Sequence, residues 1–317
     1  MLSDRVNVLL YNPERTAAYV KLLSQRAADM TLLVCESESD IARVIAEADV
    51  LFVSTRFPSK YLRDARRAKW IQVMGAGVEH FTTGDVLPPG ILLTRVNVGF
   101  GEKIAEHVLG CMLARSQRLG EVLANQQRRR WEPLDCWWLY GKTLGVAGLG
   151  AIGRAIARRA RSFDMHVVGL DMHPVQDESV ERFYSREELM DFVADLDYLS
   201  INLPLTSSTT ELFDGDVFRR MKQGAVIINT ARGGLVREPD LIDALRRGHL
   251  GGAILDVFAT EPLPGDSPLW SMKNVIVTPH HSGPSVPEEI AAFFLDNLER
   301  ARRSAPMRGI VDQAKQF

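Results

Sequence analysis

The stretch GVAGLGAIGRAIARRA, Gly145 to Ala160, sets Gly148, Gly150 and Gly153 between a short apolar run and a helical pattern. Read as strand, turn and helix, it gives each glycine a separate task. Gly148 permits the tight turn, Gly150 lets the backbone approach an anion, and Gly153 lets the helix pack close to its strand. The helix start at Ala151 and Ile152 then offers N–H groups with no partner inside the helix, a ready site for a pyrophosphate. A second strand, MHVVGL from Met165, leads to Asp171, eighteen residues after Gly153. A carboxylate there accepts hydrogen bonds from an adenosine ribose and disfavours a 2′-phosphate. No Arg or Lys adjoins it in DMHPV, although the imidazole of His173 could contact a phosphate. The expectation is a dinucleotide fold that takes NAD rather than NADP. A glycine triplet alone is weak evidence; strand, glycines, helix, second strand and acid in this order are much stronger.

Working outward, short β-branched runs alternate with helical patterns along the whole chain. VNVLL (6–10), MTLLV (30–34), VLFV (50–53) and WIQVM (70–74) form one series of strands. TLGVAG from Thr143, MHVVGL, YLSINL from Tyr198, AVIINT from Ala225, GAILDVF from Gly252 and NVIVTPH form a second. That alternation predicts βαβ units and parallel sheets covered on both faces. A long helical pattern at 101–119 connects the two series, and another at 287–303 follows the last strand. The expected organisation is therefore a discontinuous domain, 1–97 with 284–317, flanking a continuous domain, 98–283. Hinges are expected at the crossings, near 96–101 and 282–284.

Composition limits the alternatives. The 317 residues suffice for about two domains. With 46% hydrophobic and 25% charged residues and a net charge of -2, the chain has no field that would favour nucleic acid or an acidic membrane. No apolar run approaches the roughly 18 residues of a membrane span, and the start MLSDRVNVLLYN does not read as a secretory leader. Cys35, Cys111 and Cys136 are far apart, which suits a reduced cytoplasmic protein without a structural metal.

VIINTARGGLV, Val226 to Val236, ends a buried-looking strand in Arg232. A guanidinium cannot shed its charge, so a strand end that delivers one should open onto an anion. LDVFATEP supplies Asp256 and Glu261, and VTPHHSG supplies His280 and His281, again at strand ends. Together with GAGVEHF (75–81), AEH (105–107) and INLPLTSST (201–209), these motifs make the chain resemble the D-isomer-specific 2-hydroxyacid dehydrogenases over nearly its whole length. The resemblance implies two doubly wound α/β domains, a Rossmann-type cofactor domain and a flavodoxin-like substrate domain, with the active site in the cleft. It places the substrate-binding arginine at Arg232, the acidic partner at Glu261 and the proton donor at His280, directly after the proline. Further cofactor contacts are expected at Leu203, Pro204, Thr209, Thr230, Ala231 and Asp256, and the substrate carboxylate is expected against Ala76 and Gly77.

The chemistry asks for the same residue types. Reducing a 2-keto acid adds hydride to the carbonyl carbon and a proton to its oxygen. A histidine is the natural proton donor, Glu261 would orient it and favour the imidazolium, and Arg232 would clamp the carboxylate. Glu79, His80 and Arg56 read as surface residues, with substrate contact by Arg56 as the alternative. RRRWEPLDCWWLYGK (128–142) carries Trp131, Trp137 and Trp138 beside arginines, as interfaces do, and the family pairs as dimers through its cofactor domain. Packing of this arm on its own domain is the other reading. The expected activity is NAD(H)-dependent interconversion of a small 2-keto acid and its D-2-hydroxy acid, with glyoxylate or hydroxypyruvate first. The rivals are a phosphite-type dehydrogenase and an NAD-sensing, corepressor-like binding protein. No sequence follows Phe317, and the regulatory domain appended to some phosphoglycerate dehydrogenases is not expected.

Overall fold

Strands buried on both faces should read as continuous apolar runs, and β1 (Val6–Tyr11) does: all but one of its residues are buried. This computed structural model describes residues 5–25, 30–82, 86–173 and 176–312. The chain divides into two units, Met1–Val98 with Ser285–Phe317, and Gly99–Pro284. Among the described residues no helix is long and apolar enough to cross a membrane.

In the first unit β1 is followed by α1 (Thr16–Ser24), β2 (Met30–Cys35), α2 (Glu38–Val44), β3 (Val50–Val53), β4 (Trp70–Val73), α3 (Glu79–Thr82) and β5 (Leu92–Arg95). Its sheet is wholly parallel in the order β2-β1-β3-β4-β5, the flavodoxin-like winding. The strand pattern read from sequence stops at β4. The structure adds β5, whose four residues LLTR are too short and too polar at one end to announce a strand.

The second unit runs α4 (Phe100–Ser116), α5 (Leu119–Gln127), β6 (Thr143–Ala147), α6 (Ala151–Arg161), β7 (His166–Leu170), β8 (Arg182–Tyr184), α7 (Leu189–Ala194), β9 (Tyr198–Ile201), α8 (Gly215–Arg220), β10 (Val226–Asn229), α9 (Glu238–Arg246), β11 (Gly252–Leu255) and β12 (Val275–Val277). These strands also pair in parallel, in the order β12-β11-β10-β9-β6-β7-β8. Strand order reverses between β6 and β9, and ligands of doubly wound sheets bind beyond the carboxyl ends at such a point. The edge strand β8, three residues long, is a second element absent from the sequence reading.

The single helix expected at 101–119 is two. Arg118 adopts a left-handed φ of 50° and breaks the pattern, so α4 stops at Ser116 and α5 starts at Leu119. None of α5's residues is buried, and Leu119, Val122 and Leu123 stay exposed. The irregular arm that follows is tethered where the Trp137 amide donates to Ser116 and the Arg118 guanidinium lies 5.9 Å from the Trp137 ring. Its aromatics nevertheless face outward in this unit: Trp131 is 99% exposed, Trp138 67% and Trp137 54%.

The last helix, α10 (Pro287–Arg302), returns to the first unit and seals one face of its sheet. Phe294 is fully buried and stacks on Phe52, with ring centres 4.3 Å apart, and on Trp70 at 5.3 Å. Beside it the buried amide of Asn297 donates to Gln72 and to the Arg308 carbonyl, so the polar groups under the helix are paired.

Candidate active site

Where β6 ends, Gly148 turns with φ 93°, and a Cβ there would stand 2.7 Å from the carbonyl carbon of Asn202 after β9. Only glycine allows the two strand ends to approach this closely. A Cβ on Gly153 would collide with the Gly148 carbonyl, so α6 packs directly against its strand. At Gly150 the opposite holds: a Cβ would meet nothing within 4 Å. Gly150 is the N-cap of α6, and no side chain caps that helix, so its first amides face the same open side. Open space over bare backbone, at a helix N-terminus and a topological switch point, fits a dinucleotide pyrophosphate.

Asp171, just past β7, accepts the Leu149 amide on Oδ2 and the Met172 amide on Oδ1, both at 2.7 Å. Its carboxylate therefore shapes the glycine loop in which it was expected to read a ribose. Leu203 is buried, and Thr209 holds its loop by donating to the Pro204 carbonyl at 2.7 Å and accepting the Thr206 amide at 2.8 Å. Beyond β10 the side chain of Asn229 shapes the next turn, taking the Ala231 amide and donating to the Arg232 carbonyl. The Thr230 hydroxyl and the Asn202 side-chain oxygen are buried without a hydrogen-bond partner among the described residues. Such groups are costly, and a bound ligand would relieve them.

The three residues expected to act on the substrate follow three strands of this same unit. Glu261 Oε2 lies 2.7 Å from His280 Nδ1, while its other oxygen accepts the Phe258 amide at 3.1 Å. A carboxylate can only accept, so Nδ1 carries a proton and Nε2 is the nitrogen left for chemistry. His280 is half exposed and adopts φ 50°, a left-handed backbone uncommon for a residue with a side chain. Its neighbour His281 is also exposed, but it is His280 that carries the carboxylate. Arg232 is half-buried, its Nη1 donating to the Ala231 carbonyl at 2.7 Å. The next residue, Gly233, presses against the Phe258 backbone, where any Cβ would collide, and this sets the Arg232 turn against the loop that carries Glu261.

In the first unit Gly75 sits so close to Thr55 that a Cβ would fall 2.7 Å from its methyl group. Arg95 donates to the Ala76 carbonyl at 3.1 Å, Gly77 is buried, and His80 is exposed. Arg56 is 81% exposed and paired with Glu14 at 2.8 Å, which matches the surface reading of that residue.

With this geometry in view, comparison with known proteins is informative. The family model described as "D-isomer specific 2-hydroxyacid dehydrogenase, NAD binding domain" matches residues 109–282. The glyoxylate/hydroxypyruvate reductase A of Serratia proteamaculans is 30% identical over 97% of this chain and 98% of its own length. The chain belongs to the D-isomer specific 2-hydroxyacid dehydrogenases. The D-3-phosphoglycerate dehydrogenase of Mycobacterium leprae is 35% identical over 74% of the chain, and this chain spans about half of that relative, 45%. A crystal structure of the NADPH-dependent glyoxylate/hydroxypyruvate reductase of Sinorhizobium meliloti, in complex with NADP and sulfate, superimposes with a TM-score of 0.89. It is 27% identical and covers 99% of this chain and 100% of its own.

In this member of the family one carboxylate organises the histidine loop. Asp256 is fully buried, and its oxygens accept the Thr278 hydroxyl at 2.5 Å and the His281 and Ser282 amides at 3.0 Å. Burial pushes its carboxyl upward, but the hydrogen bonds from Ser282, Thr278 and His281 outweigh that and hold it below the usual carboxylate range. Three donors from residues 278–282 thus gather on a residue expected to meet the nicotinamide amide. His107 of α4 faces the same group, with Nε2 3.4 Å from the Thr278 hydroxyl. Neither Thr278 nor His107 was expected as a functional residue; the only signal was the AEH motif itself.

Burial also pulls the His107 imidazole below its ordinary 6.5; the Asp256 charge opposes this and His281 adds to it. A depressed folded-state value means that the unfolded chain takes up the proton first. The stabilising contribution is complete above pH 6.5 and drains away as pH falls through the folded value. Asp256 behaves alike below 3.8. Urea denaturation from pH 7.5 to 5 should show stability falling with pH, with a shallower fall in His107→Gln. An unchanged slope in that variant would count against a half-buried, neutral His107.

Proposed function

We propose that this dehydrogenase-family chain reduces a small 2-keto acid to its D-2-hydroxy acid, and the reverse, with NAD(H) as redox partner. The observation that carries the reading is the His280–Glu261 pair, a donor oriented through Nδ1 with Nε2 free to serve a substrate oxygen. Bound at the Gly148–Gly153 loop, a nicotinamide coenzyme supplies or accepts the hydride. The chain does the rest. Arg232 holds the substrate carboxylate with its planar fork and orients the carbonyl. His280 delivers the proton from Nε2 to the carbonyl oxygen as that oxygen gains charge, and Glu261 stabilises the ring in its charged form. In the oxidation direction the same nitrogen accepts the hydroxyl proton. Glyoxylate and hydroxypyruvate lead the candidate substrates, because the Serratia relative of matching length carries both in its name.

Turnover against glyoxylate, hydroxypyruvate, pyruvate, phenylpyruvate and oxaloacetate should rank the substrates. His280→Ala should lower kcat by about 10²–10⁴-fold, the usual worth of positioned acid–base catalysis. Arg232→Ala should abolish measurable turnover, and His281→Ala should cost far less than His280→Ala. Comparable losses at the two histidines would overturn the donor assignment.

NAD is the proposed cofactor although the Sinorhizobium relative binds NADP. Asp171 places a carboxylate, fixed by two amides, where a 2′-phosphate would have to lie, and Met172 beside it is exposed and uncharged. Steady-state kcat/KM should favour NADH over NADPH by at least about tenfold, or about 1.4 kcal/mol. A preference for NADPH would overturn the choice.

The exposed face of α5 and the tryptophan arm support a homodimer formed through the cofactor domain, since isolated soluble domains rarely leave so much apolar surface open. Light scattering should give twice the 35.4 kDa chain mass, and Trp131→Ser with Leu123→Ser should weaken the pairing. The free thiols Cys35, Cys111 and Cys136 support a reducing, cytoplasmic setting.

A further inference from the structure

We propose that His107 and Thr278 are positioning residues, a hydrogen-bonded chain that fixes the backbone turn of His280 and so aims the proton donor. The inference rests on the dehydrogenase reading for its kinetic consequence, but its geometry is independent of that reading.

The chain begins with Thr278. Its hydroxyl lies 2.5 Å from Asp256, whose carboxylate can only accept, so the hydroxyl proton is committed there. Only the oxygen's lone pairs remain for His107 Nε2 at 3.4 Å, so in this contact the nitrogen donates, as the Nε2–H tautomer, with Cys111 Sγ 3.6 Å from the same atom. Asp256 in turn is tied to the sheet, because its own amide donates to the Asn229 carbonyl at the end of β10. The same carboxylate takes the amides of His281 and Ser282. Residue 278 on one side and residues 281 and 282 on the other are thus pinned to a single buried group.

Pro279 and His280 lie between those pins. The His280 amide donates to the Asp256 carbonyl at 2.9 Å and to the Thr278 carbonyl at 3.1 Å, and its φ of 50° is held by this bracket. A left-handed non-glycine residue persists only where its surroundings over-determine it. Here they do, and the conformation directs the imidazole at Glu261. The His107 ring completes the support from α4, packing edge-on against His281 with ring centres 5.4 Å apart.

His107, Asp256 and His281 also form a cluster with metal-ligand chemistry, their ligand atoms within 4.8 Å of one another. The hydrogen bonds favour the positioning role. Both Asp256 oxygens already serve neutral donors, and the Thr278 hydroxyl stands between the carboxylate and His107 Nε2.

The test uses the full chain with Thr278→Val, which keeps the shape and deletes the hydroxyl, Thr278→Ser, which restores it, and the pair His107→Leu and His107→Gln. Thr278→Val and His107→Leu should lower kcat about tenfold or more, with KM for keto acid and NADH within about twofold and a displaced pH profile of kcat. Thr278→Ser and His107→Gln, whose amide can replace the Nε2 donor, should recover most of the loss. A second readout needs no turnover. In the ¹⁵N-histidine-labelled protein without cofactor, Thr278→Val should shift the His280 ring nitrogen resonances, while Thr278→Ser should not.

Wild-type kcat, pH profile and ring resonances in Thr278→Val would overturn the proposal. So would a mere fall in thermal stability with kcat unchanged in the folded protein. Stoichiometric Zn²⁺ binding by the wild type that is lost in His107→Gln would overturn it in favour of a metal site. If the wild type reduces no keto acid, the dehydrogenase reading fails, and the resonance shifts still decide whether the chain of hydrogen bonds sets the His280 turn.

Discussion

Every strand of the second unit runs in the same direction, so all the carboxyl ends open on one edge of its sheet. Read along that edge, the residue after six of the seven strands belongs to the candidate site: Gly148 after β6, Asp171 after β7, Asn202 after β9, Thr230 after β10, Asp256 after β11 and Thr278 after β12. Parallel pairing imposes this. Parallel strands need crossover connections, so the chain leaves every strand at this one edge and the connecting loops gather there. Those loops can carry polar and charged groups that the sheet interior could not hold.

Within that edge a single desolvated charge has the widest reach. A buried carboxylate must be surrounded by donors, and Asp256 recruits its donors from one short segment, residues 278–282. Satisfying it folds that segment into the turn that presents His280. The proposed proton donor can then remain half exposed, because its backbone is anchored and its ring is held by Glu261 through Nδ1 alone. Gly233 makes a comparable bargain with sterics. By giving up a side chain it lets the Arg232 turn lie against the Phe258 backbone, and Glu261 follows three residues later.

The parts legible in the sequence share one property: their signal is local. Gly148, Gly150 and Gly153 announce a turn whose φ and close approaches only glycine tolerates, and the apolar runs announce strands buried on both sides. Glu261 and His280 were readable as a pair only through the family pattern, since nineteen residues separate them and nothing in either neighbourhood predicts the 2.7 Å contact. Edge strands β5 and β8 were missed because an edge needs cover on fewer sides and so tolerates Thr, Arg and Tyr. The break between α4 and α5 was missed because it depends on one left-handed arginine, Arg118, inside an otherwise helical pattern. His107 and Thr278 were missed for a different reason. Their partnership spans 171 residues and is created by α4 packing on the sheet, which no local pattern records.

Asp171 shows how recognition and loop shape become inseparable. Its Oδ2 holds the Leu149 amide inside the glycine turn, while the carboxylate as a whole stands where the proposed cofactor's ribose would be read. Exchanging it for a neutral residue to admit a 2′-phosphate would strip that amide of its acceptor at the point where Gly148 and Gly150 set the approach to the pyrophosphate. A chain that takes NADP therefore needs more than a missing acid. It needs another acceptor for the loop amide and a cation for the phosphate, and DMHPV holds no Arg or Lys, only His173, for the second task. The proposed choice of NAD, argued from charge, thus also has support in the loop's own hydrogen bonding.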